Sequence, residues 1–310
     1  MRLLVVMNPS ARDFEAQKRW PSLEPLLRQG HTLTVVNTVP DDAQTRRWVT
    51  AGLVAGCDRV VAIGGDGTVH LVASALMRAG LASLPQLAVI PFGTANNVAK
   101  CLGLPMDDAP AQARIAAGDV LRPLDIGRLK AGKGGTLTEY TWVNCVSVGM
   151  DADIVASRAQ YRSMGKYLSY AAALAERTLE QRSMDARLIV DGNERNERVF
   201  NAIIMNVPLY AGALPMPGAR MDDGRLDLYL FDRNEYASKV LSYVVRQTDV
   251  LQVGVGDLLE ELTRNQRGVH GRNITLRLAF PRALQVDGEA MGEADELTLD
   301  VAAQVQAAGA

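Results

Sequence analysis

The sequence has few aromatic residues and no excess of positive charge. Aromatic residues make up 5% of the 310 residues, and 33 lysines and arginines are set against 35 aspartates and glutamates, for a formal net charge of −2. A protein that binds nucleic acid needs a basic surface to neutralise phosphates, and single-strand binders also stack bases on aromatic rings. The composition therefore argues against nucleic acid as a partner.

Cysteine, histidine and long apolar runs are also scarce. The cysteines are Cys57, Cys101 and Cys145, which are far apart, and the three histidines are scattered and form no ligand cluster. These spacings favour reduced, buried thiols over a disulfide framework or a zinc site. No run reaches the ~18 apolar residues that a membrane-spanning helix needs. We therefore expect a cytoplasmic protein with no transmembrane segment, whose contact with a membrane would be peripheral.

What the chain does have is enough apolar sequence for two cores, at 48% hydrophobic residues. Up to about residue 127, short Val/Ile/Leu-rich runs alternate with helical patterns, which predicts a parallel sheet covered by helices on both faces. Beyond it strands dominate, some with period-two alternation, which predicts an antiparallel sheet or sandwich. We expect an α/β domain over residues 1–127 and a β-rich domain over residues 128–310, with the extreme C-terminus free to pack back on the first domain.

Individual elements follow from the same patterns. In the first domain we expect strands at Leu3–Met7, Thr32–Val36, Arg59–Ile63 and Gln86–Pro91. In the second we expect a turn-rich basic loop at Lys130–Gly135, a strand at Tyr140–Val148, helices near Ile154–Gln181 and Glu235–Leu251, and a tail from Ala302 that is either disordered or a last strand.

The most informative stretch is a glycine-rich junction between a strand and a helix. Residues 63–68 read Ile-Gly-Gly-Asp-Gly-Thr. Glycines at such a junction let backbone N–H groups approach an anion, and the helix N-terminus adds partial positive charge. Asp66 cannot hold a phosphate itself, but it suits a Mg²⁺ ion placed between it and phosphates. The stretch predicts a nucleotide-phosphate site with a metal; a glycine-rich turn with a solvated aspartate is the plainer alternative.

Two other loops are expected to lie beside this junction. Pro91–Asn97 ends a predicted strand and offers Thr94 and Asn96, whose short polar side chains could contact a ligand or cap the next helix. Asn8–Ser10 also follows a strand. Because ligands bind beyond the carboxyl ends of parallel strands, we expect both loops to converge with Gly64–Thr68.

Acidic clusters in the rest of the chain are more ambiguous. Asp287–Glu289 offers carboxylates that could accept or orient a hydroxyl proton, although Asp-Gly is also a strong signal for a tight hairpin turn. Arg220–Asp227 could bind a metal ion or be a plain loop entering a strand. Asp125 lies in an apolar frame and needs a partner, either a metal-linked water network or one of Arg122 and Arg128.

Taken together and in order, these motifs resemble the diacylglycerol kinase catalytic-domain family, which includes bacterial lipid kinases and is related to sphingosine and ceramide kinases. The motifs are Asn8–Ser10, Gly64–His70, Pro91–Asn97, Asp125–Gly127, Asn144–Ala152, Asp223–Asp227 and Asp287–Glu289. The Gly-Gly-Asp-Gly-Thr motif is shared with NAD kinases and, loosely, with phosphofructokinases, whereas the ordered set spans nearly the whole chain. The resemblance implies a phosphofructokinase-like α/β domain, a β-sandwich domain and ATP in the cleft between them.

The resemblance also implies an activity and a set of site residues. It implies an ATP- and Mg²⁺-dependent kinase that transfers the γ-phosphoryl group to a hydroxyl of a diacylglycerol-like or sphingoid lipid at a membrane surface, such as the inner face of the cell membrane. The nucleotide contacts that it implies are Thr38, Gly64, Gly65, Asp66, Gly67, Thr68, Val69, His70, Thr94 and Asn96. The implied catalytic residues are Asp66, Asp287 and Glu289. The implied metal sites comprise Asp66 and Asp125, and a separate loop of Arg220, Asp223 and Arg225.

Two residues depart from the family pattern. His70 stands where Asn is frequent, and Asn97 stands where Asp is frequent, which removes one negative charge that Asp151 could restore. One alternative function is an NAD kinase, which the lack of a Glu after Asn96 disfavours. Another is a nucleotide- or lipid-binding regulator with degenerate catalysis. The sequence leaves the lipid undefined and a homodimer open.

Overall fold

The computed structural model describes residues 1–157, 183–236 and 268–310. The first part of the chain contains β1 (Arg2–Met7), α1 (Ala11–Arg28), β2 (Thr32–Asn37), α2 (Asp42–Val54), β3 (Arg59–Gly64), α3 (Asp66–Arg78), β4 (Gln86–Pro91), α4 (Asn97–Cys101) and α5 (Ala109–Ala117). The remainder contains β5 (Leu121–Lys133), β6 (Thr136–Trp142), β7 (Cys145–Gly149), α6 (Met150–Ser157), β8 (Met184–Val190), β9 (Asn193–Val199), β10 (Asn201–Met205), β11 (Leu209–Tyr210), β12 (Leu214–Pro215), β13 (Leu226–Phe231), β14 (Gly268–Gly271), β15 (Asn273–Val286) and β16 (Glu289–Ala308). The fold class is the predicted one, an α/β domain followed by a β-rich domain.

The first domain is built on a parallel sheet with the strand order β4-β3-β1-β2. Leu4 and Val6 of β1 pack with apolar residues of α2 and α3 on one face. Leu3 and Val5 pack with α1 and α5 on the other face. Each such side chain gains roughly 1.5–3 kcal/mol from full burial, so a strand that is apolar at every position is stable only between two helical layers.

The second domain is built from antiparallel strands around a separate apolar core. β10 pairs with β7 and β13, and β15 pairs with β7, β8 and β16. Trp142, Leu188, Ile204 and Leu276 are fully buried in this core. Ile274, Leu276 and Leu278 of β15 face inward, as the period-two pattern of the sequence predicts, whereas Phe280, which the same pattern places on that face, is 43% exposed.

One long strand connects the two domains. β16 has 20 residues, pairs with β15 along its first half and with β5 along its other edge, and Ala307 near its end pairs with Leu87 of β4. β5 runs through residue 127 without a break. We propose that the boundary between the domains lies within β5, close to that residue.

Several predicted elements need correction. The predicted loop Lys130–Gly135 is wrong over its first four residues, which complete β5; only Gly134 and Gly135 turn, both with positive φ. Pairing of β5 with β6 and β16 overrides the weak strand propensity of glycine and lysine there. The single strand predicted at Tyr140–Val148 is two strands, because residues 143 and 144 bend out of strand conformation between Trp142 and Cys145.

The predictions for helices in the second domain are tested only in part. The tail from Ala302 is a strand, which resolves the alternative of disorder. α6 begins at Met150, earlier than the predicted Ile154, and is described as far as Ser157. The rest of the helices predicted to Gln181 and to Leu251 lies outside the described residues. Within the described ranges, no helix is long and apolar enough to cross a membrane.

Candidate active site

Three loops meet at the carboxyl edge of the parallel sheet, as the strand pattern predicts. The backbone N–H of Asn8 donates to the carbonyl of Ile63 at 2.9 Å, and that of Phe92 donates to the carbonyl of Gly64 at 2.7 Å. These two bonds carry the strand ladder beyond the ends of β1 and β4. The loops after β1, β3 and β4 are therefore held side by side.

Glycines in two of these loops are required by close packing. A Cβ on Gly93 would lie 2.5 Å from the Cα of Gly65, and a Cβ on Gly64 would lie 2.2 Å from Oγ1 of Thr68. By contrast, a Cβ on Gly67 would meet nothing within 4 Å. Close packing therefore excludes side chains at Gly64, Gly65 and Gly93, whereas Gly67 borders open space.

A cavity of about 360 Å³ lies between this turn and the second domain. From the first domain its wall includes Gly65, Asp66, Gly67, Thr94, Ala95 and Asn97. From the second domain its wall includes Asn144, Tyr210, Gln285, Asp287 and Glu289. The volume is in the range of small-molecule sites, and ligand sites commonly lie between domains.

Asp66 begins α3 and faces the start of α4. Its Oδ1 accepts a hydrogen bond from the backbone N–H of Val98 at 3.4 Å. Burial raises the pKa of Asp66, backbone N–H groups of Asn97 and Val98 partly offset this, and the charge of Asp287 raises the pKa further. The ionised form of Asp66 is therefore disfavoured in this place, and a cation bound nearby would stabilise it.

Asp287 lies in a tight hairpin turn, which confirms that reading of its motif, and its residue also borders the cavity. Asp287 and Gly288 have φ values of 50° and 89°, which form the turn between β15 and β16. The Asp287 carboxylate accepts hydrogen bonds from the backbone N–H groups of Val143 (2.8 Å), Asn144 (2.7 Å) and Cys145 (3.1 Å). Its side chain is 1% exposed. The break between β6 and β7 therefore serves to present these donors.

His70 links the two domains through the same carboxylate. Its Nδ1 lies 2.8 Å from Oδ2 of Asp287, although the residues are 217 positions apart in the chain. Burial lowers the pKa of His70, but the hydrogen bond and the charge of Asp287 outweigh it, so the net shift is upward. An Asn at this position would lack that titratable cation.

A second link between the domains involves Asn97. Its Oδ1 accepts a hydrogen bond from the backbone N–H of Gly212 at 2.8 Å, and Nζ of Lys100 donates to the carbonyl of Gly212 at 2.6 Å. Gly212 has a φ of 83° and packs directly on Ala95. The amide of Asn97 thus ties the β11–β12 hairpin to α4, on the border of the cavity.

Other residues that the resemblance implied lie away from the cavity wall. Thr38 follows β2, and its backbone N–H donates to the carbonyl of Met7 at 2.8 Å. The side chain of Asn96 spans the backbone N–H and carbonyl of Gly93, at 2.8 and 2.9 Å, and so shapes its loop. Thr68 and Val69 are buried within α3.

Asp125 lies in a separate polar cluster. It is fully buried, and its carboxylate accepts hydrogen bonds from Nε2 of Gln304 at 2.8 Å and from the backbone N–H of Gly224 at 2.7 Å. Burial raises the pKa of Asp125, and these two hydrogen bonds work in the opposite direction. Of the two arginines considered from the sequence, Arg128 instead pairs with Asp300 at 2.5 Å.

The acidic loop beside Asp125 is closed by its own hydrogen bonds. The backbone N–H of Arg225 donates to Asp223 at 3.0 Å, and that of Arg220 donates to Asp227 at 3.3 Å. Within the described part of the chain, no group of three or more His, Cys, Asp or Glu side chains is arranged to hold a metal ion. A cation here or in the cavity would need further oxygen ligands, such as backbone carbonyls, phosphates or water.

The cavity is acidic. Asp66, Asp287 and Glu289 border it, and none of the described residues that line it is a lysine or an arginine. A triphosphate alone would be repelled by these carboxylates. The arrangement therefore suits a triphosphate bound together with a divalent cation, with backbone N–H groups at the start of α3 as donors.

Sequence reasoning missed Tyr210 and Gln285 in the wall, and it named Asn144 only as the start of a family motif, without a role. Asn144 is 2% exposed, and neither atom of its amide has a hydrogen-bond partner among the described residues. The motif Asn144–Ala152 was the available signal for its place in the site. Tyr210 lies in a two-residue strand that no sequence pattern marks.

Comparison with known families gives two matches that together span most of the chain. Residues 2–129 match the diacylglycerol kinase catalytic domain. Residues 144–305, about half of the chain, match the YegS C-terminal NAD kinase beta sandwich-like domain. The first match covers the cavity's glycine-rich wall, and the second covers the wall that carries Asp287.

Sequence comparison with individual proteins also finds relatives that are named as lipid kinases. The chain is 33% identical over 193 residues to a protein of Pseudomonas aeruginosa named as a YegS-like lipid kinase (61% of this chain, 59% of that protein). It is 33% identical over 201 residues to a diacylglycerol kinase of Mycobacterium tuberculosis (63% of this chain, 62% of that protein). The matched region thus spans about three fifths of the length of each relative.

Two solved structures share the fold. A diacylglycerol kinase from Bacillus anthracis superposes with a TM-score of 0.69 at 16% identity, over 100% of this chain and 97% of that one. Yeast NADH kinase complexed with NADH superposes with a TM-score of 0.53 at 11% identity, over 100% of this chain and 84% of that one. At these identities the likeness establishes the fold alone.

Proposed function

The chain belongs to the diacylglycerol kinase family, and on that basis we propose that it is an ATP-dependent lipid kinase. It transfers the γ-phosphoryl group of ATP to a hydroxyl of a diacylglycerol-like or sphingoid lipid. The observation that carries the proposal is a cavity in which the glycine-rich turn of one domain faces Asp287 and Glu289 of the other. The protein acts in the cytoplasm and reaches its lipid by peripheral contact with a membrane.

The nucleotide phosphates lie against the glycine-rich wall. Backbone N–H groups of Gly65–Gly67 and the first turn of α3 point donors and partial positive charge at them. Thr94, which is exposed at the rim, is within the same wall. Asp66 is the residue that would hold Mg²⁺, which would neutralise phosphate charge when bound together with ATP.

The two acids of the hairpin have different roles. Each oxygen of the Asp287 carboxylate already accepts two hydrogen bonds, from His70, Val143, Asn144 and Cys145. Glu289 is exposed at the rim of the cavity. Glu289 is therefore the acceptor for the hydroxyl proton of the lipid, and Asp287 positions the hairpin that carries it.

A second cation site accounts for the remaining acids. Asp125 and Asp223, with backbone oxygens of Arg220 and Arg225, would hold a structural metal ion beside β5. Asp125 is buried, and the negative charges of Asp222 and Asp223 lie close to it. A cation bound among these three carboxylates would offset their repulsion, which supports a site at this place.

The test is direct identification of the product. Purified protein is incubated with labelled ATP, Mg²⁺ and a total lipid extract, and the labelled product is identified by mass spectrometry. NAD is offered as acceptor in a parallel reaction, and Asp66→Asn is the matched inactive control. Label in a lipid that depends on Asp66 supports the proposal. Label in NAD alone, or binding of Mg-ATP with no transfer to any lipid, would overturn it in favour of an NAD kinase or a regulator.

A further inference from the structure

The strand β2 forms a free edge of the parallel sheet. It pairs with β1 on one side, in continuous register, and with no other described strand on the other side. Four of its six residues are exposed, namely Thr32, Thr34, Val35 and Asn37. An edge strand presents a row of backbone N–H and C=O groups with which a further strand can pair. The β2 edge is therefore a template for the addition of a strand.

The other free edges of the large sheet, as far as the structure describes it, are protected against such pairing. β9 carries two glutamates and two arginines, β6 has Glu139 at its centre, and β14 has only four residues. Charge, shortness, bulges and proline are the usual devices that keep an edge from pairing with another chain. β2 reads Thr-Leu-Thr-Val-Val-Asn and has none of these devices. This contrast within one molecule indicates that the β2 edge is covered by another strand in solution.

Exposed apolar side chains flank the β2 edge on both faces of the sheet. Val35 is paired with Val5, whose side chain packs towards α1 and α5, and Val35 is 37% exposed on that face. On the opposite face, α2 packs on β2 and α3 packs on β3. The charge of Arg46 reaches His70 of α3, so Trp48, about 200° further around α2, points away from α3 and towards the free edge. Trp48 is 43% exposed, so an added strand would meet apolar surface above and below.

The charges at the two ends of β2 favour a second copy of the same strand. Arg28 and His31 precede the strand, and Asp41 and Asp42 follow it. When two copies pair antiparallel about a two-fold axis, the basic end of each strand lies beside the acidic end of the other. Arg28 and Asp42 also form ion pairs within their own helices, but these pairs are exposed and contribute little. An uncharged strand with one basic end and one acidic end is thus complementary to itself.

We propose that the protein forms a homodimer in which the β2 strands of two copies pair antiparallel and join the two sheets into one. Val35 lies at the centre of this interface, and Trp48 of each copy packs against the strand of its partner. Exposed aromatic residues of this kind are typical anchors of protein interfaces. Neither residue lines the cavity between the domains, so the inference is independent of the proposed function.

The test is the mass of the protein in solution, measured by sedimentation velocity over about 1–100 μM. Val35→Lys places on β2 the charge that protects other edges. Leu137→Lys is the matched control, because Leu137 is 44% exposed on the edge strand β6. Arg28→Glu, Asp42→Lys and the double variant test the orientation of the strands. Thermal denaturation of each variant verifies that it is folded.

The wild type is expected to be a dimer. Val35→Lys should raise the Kd of the dimer at least about tenfold, because two charges replace an apolar contact, and Leu137→Lys should leave the Kd unchanged. Arg28→Glu and Asp42→Lys should each weaken the dimer, and combining them should restore it, because opposite charges face each other again. A monomeric wild type, a dimer that Val35→Lys leaves intact, or a double variant weaker than both single variants would overturn the inference.

Discussion

Replacing each acid of the β15–β16 hairpin by its amide should separate a structural carboxylate from a chemical one. Asp287→Asn and Glu289→Gln are the same chemical change two residues apart. Asn-Gly forms the same tight turn as Asp-Gly, so the hairpin itself is not disturbed by the first variant. The two variants therefore differ only in what the carboxylates contact.

The size of the effect at residue 287 follows from its hydrogen bonds. An amide that keeps its oxygen towards the backbone N–H groups of Asn144 and Cys145 must turn its NH₂ group towards Val143 and His70. The N–H of Val143 then loses its acceptor, and the remaining bonds lose their charge. A buried donor left unsatisfied costs about 1–3 kcal/mol, so we expect a loss of about 2 kcal/mol. At about 2.1 cal/mol/K of unfolding entropy per residue, this loss lowers the Tm of a 310-residue protein by about 3 °C.

At residue 289 no such loss is expected, because the side chain is exposed. Glu289→Gln should leave the Tm within about 1 °C of the wild type, since surface substitutions rarely exceed 0.5 kcal/mol. It should lower kcat about 10²–10⁴-fold, the usual contribution of a general base. Thermal denaturation and steady-state kinetics on both variants provide the test. A Glu289→Gln enzyme with full kcat, beside an Asp287→Asn enzyme that is inactive but has an unchanged Tm, would refute the assignment.

Three further outcomes are expected. His70→Asn should cost more thermal stability at pH 6 than at pH 9. Burial lowers the pKa of His70, but Asp287 raises it by more, so the pKa is higher in the folded state than the unfolded-state value of about 6.5. The positive charge on His70 therefore stabilises the fold below about pH 6.5, and this stabilisation is lost as the pH rises through the folded-state pKa. A Tm difference that is independent of pH would contradict this. Gly93→Ala should destabilise the fold by about 1–3 kcal/mol and weaken Mg-ATP binding in calorimetry, because its Cβ would lie 2.5 Å from the Cα of Gly65. Gly67→Ala, with open space around it, should keep the wild-type Tm, and an equal loss in both variants would argue against the contact. Chelation of divalent cations should abolish ATP binding to this acidic cavity, and calorimetric titration that gives the same Kd with and without EDTA would disprove the need for a cation.

Local patterns were sufficient to predict the first half of the cavity. The strand ends before Asn8, Gly64 and Phe92 were visible as apolar runs followed by glycine or polar residues, and parallel strands place such ends at one edge. The junction at Asp66 followed from the same reading. These features depend on residues close in sequence, where propensity and periodicity carry information.

The second half of the cavity depends on contacts between distant residues. Nothing near His70 indicates that it meets Asp287, since the contact requires two domains to be placed side by side. The strand β9 was missed because six of its seven residues are polar, although the Asp191-Gly192 turn before it, with φ values of 48° and 85°, is a hairpin signal that could have found it. In both cases tertiary pairing decides the structure, and single-sequence patterns do not record it.

The continuity of β16 restricts how the molecule can open. β16 is continuous from its ladder with β15 to its pairing with Leu87 of the first sheet, so swinging one domain away from the other would have to bend this strand and the β5 ladder beside it. Access to the cavity must then come from local shifts of exposed residues at its rim, such as Thr94 and Glu289. Exchange of backbone amide protons should accordingly be slow along the whole of β16 and fastest in the rim segments, so that substrate entry is a property of short loops and the frame stays fixed.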